Sequence, residues 1–251
     1  MKSNKDRIQN LKNNGYSLEF ETVFNLAFEN YKKIALYAGL LILVFSVFFI
    51  IAALIIIAFT YGLDNFQQLI TPENLDSKKL SDDFLLTYIG GATLLSCFIS
   101  PFFAGLIKMA HFAQIDEEFH VADVFEFYRF SYFKELFLAT LIISILSMGF
   151  SSILDATGIP MLGFIASLTV SVLNLLTIPL IIFSKFNAIE AITTSVNLVL
   201  KQPLLLFALM VIVYLAILTG IFFFFIGFFF TLPFMYSMYY AIYSCIIGFE
   251  E

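Results

Sequence analysis

The sequence predicts an all-α fold: a polytopic membrane helical bundle of about six transmembrane helices. Three observations carry that prediction. The 251 residues are 61% hydrophobic and only 13% charged, with a mean hydropathy of +0.94, which lies outside the range of soluble globular domains. Five stretches hold no charged side chain: Ile34 to Phe59, Phe84 to Ile107, Leu136 to Leu154, Ile159 to Ser184 and Leu204 to Gly248. Each approaches or exceeds the ~20 apolar residues that cross ~30 Å of hydrocarbon. Finally, eleven of the thirteen Lys and Arg residues fall on one side of the membrane that these stretches define.

The fifth stretch is 45 residues long, too long for one helix, and Gly220 or Gly227 offers a seat for a tight turn within it. Dividing it there gives six spans; leaving it whole gives five and puts the C-terminus outside. With six spans and the N-terminus inside, the inner segments hold Lys2, Lys5, Arg7, Lys12, Lys32, Lys33, Lys108, Arg129, Lys134, Lys185 and Lys201. Only Lys78 and Lys79 lie outside. Short basic loops are retained on the cytoplasmic face, so both termini are expected in the cytoplasm. The net charge of −6 excludes no membrane role, but it argues against nucleic acid. The inner bases are mixed with Asp116, Glu117, Glu118, Asp123 and Glu126 and form no basic stripe.

Taken in order, residues 1–14 are polar and aperiodic, which sets residues 1–16 apart as a mobile cytoplasmic tail. The remainder, 17–251, reads as one membrane domain. Phe20, Phe24, Ala27, Phe28 and Tyr31 recur at helical spacing opposite Glu21, Asn25, Glu29 and Asn30, predicting an amphipathic helix over about 18–32. It leads directly into the first span, and its acidic polar face places it at the interface or against the bundle. Two further stretches follow the same pattern, at about 121–133 and 186–200. Each ends on a base: Lys33, Lys134 and Lys201. The long outer loop spans about 61–83, where Thr71-Pro72-Glu73 has the signature of a helix start.

The second span of each pair carries a hydroxyl and then a proline: Ser100-Pro101, Thr177-Ile-Pro179 and Thr231-Leu-Pro233. The pattern suggests a threefold repeat of amphipathic helix plus helical hairpin, all copies pointing the same way. Prolines free backbone carbonyls that bend a helix or line a cavity, so Pro101, Pro179 and Pro233 are candidates for helix bending. Asn174, the most polar residue at mid-span, is the candidate for polar lining, with Thr169, Ser171 and Thr177 near it; the ordinary use of such groups is hydrogen bonding between helices.

No Asp, Glu, Lys, Arg or His falls within the core of any proposed span. This argues against a proton-coupled carrier, a voltage sensor or a pump with an intramembrane carboxylate. Cys97 and Cys245 sit within apolar spans and form no CxxC pair; they read as small hydrophobes. His111 and His120 flank Asp116, Glu117 and Glu118, but the spacing matches no familiar metal site, and the segment reads as a solvated helix junction. No GxSxG is present. The residues name no catalytic, cofactor or metal site.

The last third carries a resemblance. Ala188-Ile-Glu-Ala-Ile-Thr-Thr-Ser-Val-Asn197, Lys201-Gln-Pro203, an apolar hairpin, Thr231-Leu-Pro233 and Tyr239-Tyr240 resemble a bacterial superfamily of six-helix inner-membrane proteins. In that superfamily an interfacial helix precedes each hairpin and a proline opens the last one. It also holds the membrane domain of some glycerophosphodiester phosphodiesterases, whose soluble catalytic barrel has no counterpart in these residues. The resemblance therefore implies a six-helix bundle and transfers no active site.

The expectation is a non-enzymatic membrane protein that supports envelope or lipid homeostasis, or scaffolds a partner. A carrier, channel or flippase for lipids or small amphipathic molecules is the alternative. The bilayer is the one certain partner; a lipid or apolar ligand, a second copy and another membrane protein all stay open.

Overall fold

A computed structural model describes residues 4–61, 82–159, 161–222 and 226–248. Most of the expected outer loop, including Thr71-Pro72-Glu73, lies outside these residues. The described chain is all helical: α1 (Asn4–Asn14), α2 (Phe20–Tyr61), α3 (Asp82–Gln114), α4 (Val121–Val124), α5 (Phe130–Asp155), α6 (Leu162–Leu173), α7 (Thr177–Ser184), α8 (Ala188–Val199), α9 (Pro203–Phe222) and α10 (Ile226–Ile246), with a 3₁₀ turn at Glu126–Tyr128. Five helical segments are long and apolar enough to cross a membrane: Phe20–Ala52, Ile89–Gln114, Phe130–Asp155, Leu162–Ser184 and Pro203–Phe222. The protein is a polytopic helical membrane bundle.

The expected tail is folded. α1 buries Ile8 to 2% exposure in the common core. Its Lys5 lies 3.6 Å from Glu190 and over the Phe186 ring. The chain that follows is clamped by one side chain: the Leu18 amide donates to Gln202 Oε1 at 3.1 Å, and Gln202 Nε2 donates to the Tyr16 carbonyl at 2.9 Å. Tyr16 Oη donates to the Leu198 carbonyl at 2.8 Å. The stretch reads as a tail in sequence because what Lys5 and Tyr16 meet, Phe186, Glu190 and the Leu198 carbonyl, lies about 180 residues away.

The first amphipathic stretch and the first span are one helix. At 1.5 Å per residue, the 42 residues of α2 extend roughly 63 Å, about twice the hydrocarbon thickness. Its buried stripe runs Val23, Ala27, Asn30, Ile34, Ala38 and Ile42, and it packs mainly on α10. The Phe234 ring stands edge-on to Phe24, Phe28 and Tyr31, and Ser237 Oγ donates to the Ala27 carbonyl at 2.6 Å. The second stretch breaks into α4 and the 3₁₀ turn before α5. It is pressed against α3, where a Cβ on Gly105 would lie 2.6 Å from Val124 Cα. The third stretch is α8, buried along Ala191, Ile192, Thr194, Ser195, Leu198 and Val199. Its first amide, at Ala188, donates to Glu135 of α5 at 2.8 Å.

α10 fills the middle of the bundle and touches α2, α9, α3 and α7. Met238, Tyr240, Ala241, Ile242 and Tyr243 are fully buried. Its tyrosines and serines suit a helix largely surrounded by protein, where their hydroxyls find partners: Ser237 on α2, Tyr240 on His111 and Tyr243 on Ser184. α9 ends at Phe222 and α10 begins at Ile226, so Gly220 and Gly227, the glycines expected to seat a turn, both lie within helices. Those glycines instead let the helices meet: a Cβ on Gly220 would lie 2.8 Å from the Gly227 carbonyl.

Candidate functional site

All three sequence-highlighted prolines are buried, and each handles its freed carbonyl differently. Pro101 has no N–H for the Cys97 carbonyl, and Ser100 Oγ supplies the missing donor at 2.9 Å. Pro233 frees the Phe229 carbonyl, which faces α2 where Gly39 allows close approach; a Cβ there would lie 3.0 Å away. Pro179 sits in the first turn of α7, a position that tolerates a missing N–H.

That first turn exists because the fourth span is interrupted. α6 stops at Leu173, Asn174 leaves the helical conformation (φ −103°, ψ 10°), and α7 restarts at Thr177. Among the described residues the Asn174 side chain bonds only within its own span, not across to a neighbouring one as ordinary interhelical bonding would have it. Its Nδ2 donates to the Val170 carbonyl at 2.9 Å, and its Oδ1 accepts from Thr177 Oγ1 at 3.3 Å. The bridge between helices comes from Ser195 of α8. Its Oγ donates to the Leu173 carbonyl at 2.8 Å and accepts from the Leu176 amide at 3.1 Å, pairing two groups the interruption would strand away from water.

One turn before the break, a lateral groove opens between α3, α5 and α6. It has a volume of about 400 Å³ and is lined by Ile89, Ala92, Thr93 and Ser96, then Ile143, Ser144, Ser147 and Met148, then Ser167, Val170 and Ser171. Each set repeats at three or four residues, so each is one helix face. Six lining residues carry hydroxyls and none is ionisable. Ser96 bonds back to its own Ala92 carbonyl at 2.9 Å, and Ser171 Oγ lies 3.5 Å from Tyr214 Oη. Thr93, Ser144, Ser147 and Ser167 make no side-chain hydrogen bond among the described residues. Elsewhere in the bundle, Thr169, Thr193 and Thr219 donate to carbonyls four residues back, the usual resolution for a hydroxyl on a membrane helix.

Neither the prolines nor Asn174 line this groove. The signal that would have found it was in the sequence as three hydroxyl pairs, Thr93/Ser96, Ser144/Ser147 and Ser167/Ser171, on three consecutive spans. Ser171, near Asn174 in the expected polar lining, is one of these six; a serine on an apolar helix usually signifies close packing, and only the splay of the helices turns such pairs into a lining.

The histidines do not converge. His111 Nδ1 lies 3.0 Å from Tyr240 Oη and its ring packs on Phe183, so this residue is built into the bundle rather than solvated. His120 is 74% exposed beside Asp123 at the start of α4. Among the described residues, no three His, Cys, Asp or Glu gather as metal ligands do. Lys108 pairs with Glu126 and stacks over Phe112 and Phe127; Lys33 donates to the Ala113 carbonyl and to Asp116. Cys97 and Cys245 are free thiols.

No protein-family model, no curated protein and no solved structure matches this chain. The geometry of the site therefore carries the functional reading.

Proposed function

We propose that this is a non-enzymatic membrane protein that holds one lipid or amphipathic molecule in the groove between α3, α5 and α6, in the service of membrane-lipid homeostasis. The observation that carries the reading is the set of four hydroxyls without a protein partner in one groove on the flank of an apolar bundle. These hydroxyls are half-buried on a groove that faces the bilayer, where an unpaired hydroxyl costs free energy that a bound molecule with hydrogen-bonding groups removes. A channel along the bundle axis is disfavoured, because the buried helix α10 occupies the middle. The molecule reaches the groove from the side, where Ser96 and Met148 are exposed.

In this reading α10 is the sixth span, the membrane is a bacterial inner membrane and both termini face the cytoplasm. The eleven-to-two distribution of bases supports that orientation, as does the resemblance to the six-helix inner-membrane superfamily. Maleimide labelling of a Lys78→Cys variant from outside intact cells tests it; protection of that cysteine would reverse the topology.

The binding reading is tested by native mass spectrometry of the protein released from lipid nanodiscs. The expected result is one retained lipid mass, lost when Ser147→Phe fills the groove. A bare wild-type protein, or one carrying only a second polypeptide, would replace lipid binding with a scaffolding role.

A further inference from the structure

We infer that the groove selects an uncharged, ester-linked glycerolipid with a free hydroxyl, reading its carbonyls and rejecting headgroup charge. The inference rests on the lipid-binding reading above and adds the chemical class.

The polar groups of the lining are hydroxyls, each able to donate one hydrogen bond and to accept others. Thr93, Ser144, Ser147 and Ser167 hold these capacities unused among the described residues. They project from three different helices, so their complement has several acceptors spread over a few ångströms rather than one point charge. The ester carbonyls and hydroxyl of a diacylated glycerol supply such a set. The lateral opening lets both acyl chains leave into the bilayer or lie along Ile89, Ile143 and Met148.

Charge argues in the same direction. No lining residue is ionisable. The base nearest in sequence on α5 is Lys134, ten residues and roughly 15 Å along the helix from Ser144; on α3 it is Lys108, twelve residues and roughly 18 Å from Ser96. Asp155, eight residues beyond Ser147 on α5, adds negative charge beyond the other end. A phosphate placed among the serines would find no counter-ion among the lining residues, an arrangement that low-dielectric surroundings penalise heavily. The same argument excludes a quaternary amine, for want of a carboxylate or an aromatic ring in the lining.

The test offers the protein a choice between lipids with identical acyl chains. Nanodiscs are doped equally with dioleoylglycerol, its diether analogue and dioleoyl phosphatidic acid, and retained masses are read for wild type and for the combined Ser144→Ala, Ser147→Ala, Ser167→Ala variant, which keeps the groove open. The expected result is dioleoylglycerol retained roughly tenfold over both others, with that preference collapsing in the triple variant while the fold is preserved. Equal or greater retention of phosphatidic acid would overturn the neutral class and leave the groove as the lipid site. Equal retention of diester and diether would overturn carbonyl reading. Retention that survives both the triple variant and Ser147→Phe would place the lipid elsewhere and remove this inference together with the reading on which it rests. A dimer mass without lipid, broken by Ser147→Phe, would assign the groove to a second copy of the chain and overturn the inference.

Discussion

The hydroxyl of Ser195, on α8, accepts a hydrogen bond from the amide of Leu176 at 3.1 Å, in the gap between two halves of another helix. The same oxygen donates to the Leu173 carbonyl on the other side of the gap, and Ser195 is fully buried. One side chain thus closes an interruption that an apolar neighbour would leave with a stranded donor and a stranded acceptor. The interruption is sustained from outside the helix that carries it.

Removing that bridge should be costly. Ser195→Ala is expected to destabilise the protein by about 1–3 kcal/mol, the penalty for buried polar groups left unpaired, and to accelerate hydrogen exchange at Leu176 selectively. Thermal unfolding in detergent with amide exchange by mass spectrometry checks both. Unchanged protection at Leu176 would mean that α8 does not hold the break closed.

Glycine substitutions should separate close packing from helix propensity. Gly105→Ala forces a methyl against the backbone of Val124 and is expected to cost about 1–3 kcal/mol. Among the described residues nothing lies within 4 Å of a Cβ on Gly90, so Gly90→Ala should stabilise by about 0.5–1 kcal/mol through helix propensity alone. Paired melting curves distinguish the two; equal shifts would contradict the packing of α4 on α3.

The N-terminal strap should be a cooperative dock. Ile8→Asp places a carboxylate in a site 2% exposed, and Gln202→Ala removes both bonds to the chain at Tyr16 and Leu18. Either should raise the rate of tryptic cleavage at Lys12 by about tenfold without unfolding the spans. Cleavage at wild-type rates in both variants would show α1 to be undocked.

The strap should also loosen in alkali. Burial of the Tyr16 phenol raises its pKa above the usual 10.0, and its neutral form donates to Leu198. A folded-state pKa above the unfolded one gives stability that is complete below pH 10 and is lost as pH rises further. Tryptic cleavage at Lys12, corrected for the protease's own pH response, should therefore be constant through pH 9 and increase above pH 10. Tyr16→Phe, which cannot ionise, should show no such increase.

The sequence by itself determined the class of fold. Uncharged runs such as Ile34–Phe59 must be helical in lipid, because a spanning segment has to satisfy its backbone internally. The periodicity of Phe20, Phe24, Ala27 and Tyr31 marked the face of α2 that meets Phe234. It could not show that this stretch and the first span share one axis, since periodicity continues smoothly through a straight helix and through a small bend alike. Tertiary structure decided the rest. Asn174 announced polarity at mid-span, but the partner that makes a break tolerable there is Ser195, on a different helix. Ile8 and Leu11 were two apolar residues in a polar tail until the fold brought them to the common core, with Phe186 and Glu190 beside Lys5 and Gln202 beside Tyr16 and Leu18. Thr93, Ser144 and Ser167 were three ordinary hydroxyls until the splay of α3, α5 and α6 placed them along one groove. Local sequence sets which backbone is helical and which face is apolar. The junctions where one element supplies what another lacks depend on contacts between residues far apart in the chain, and no local pattern encodes them.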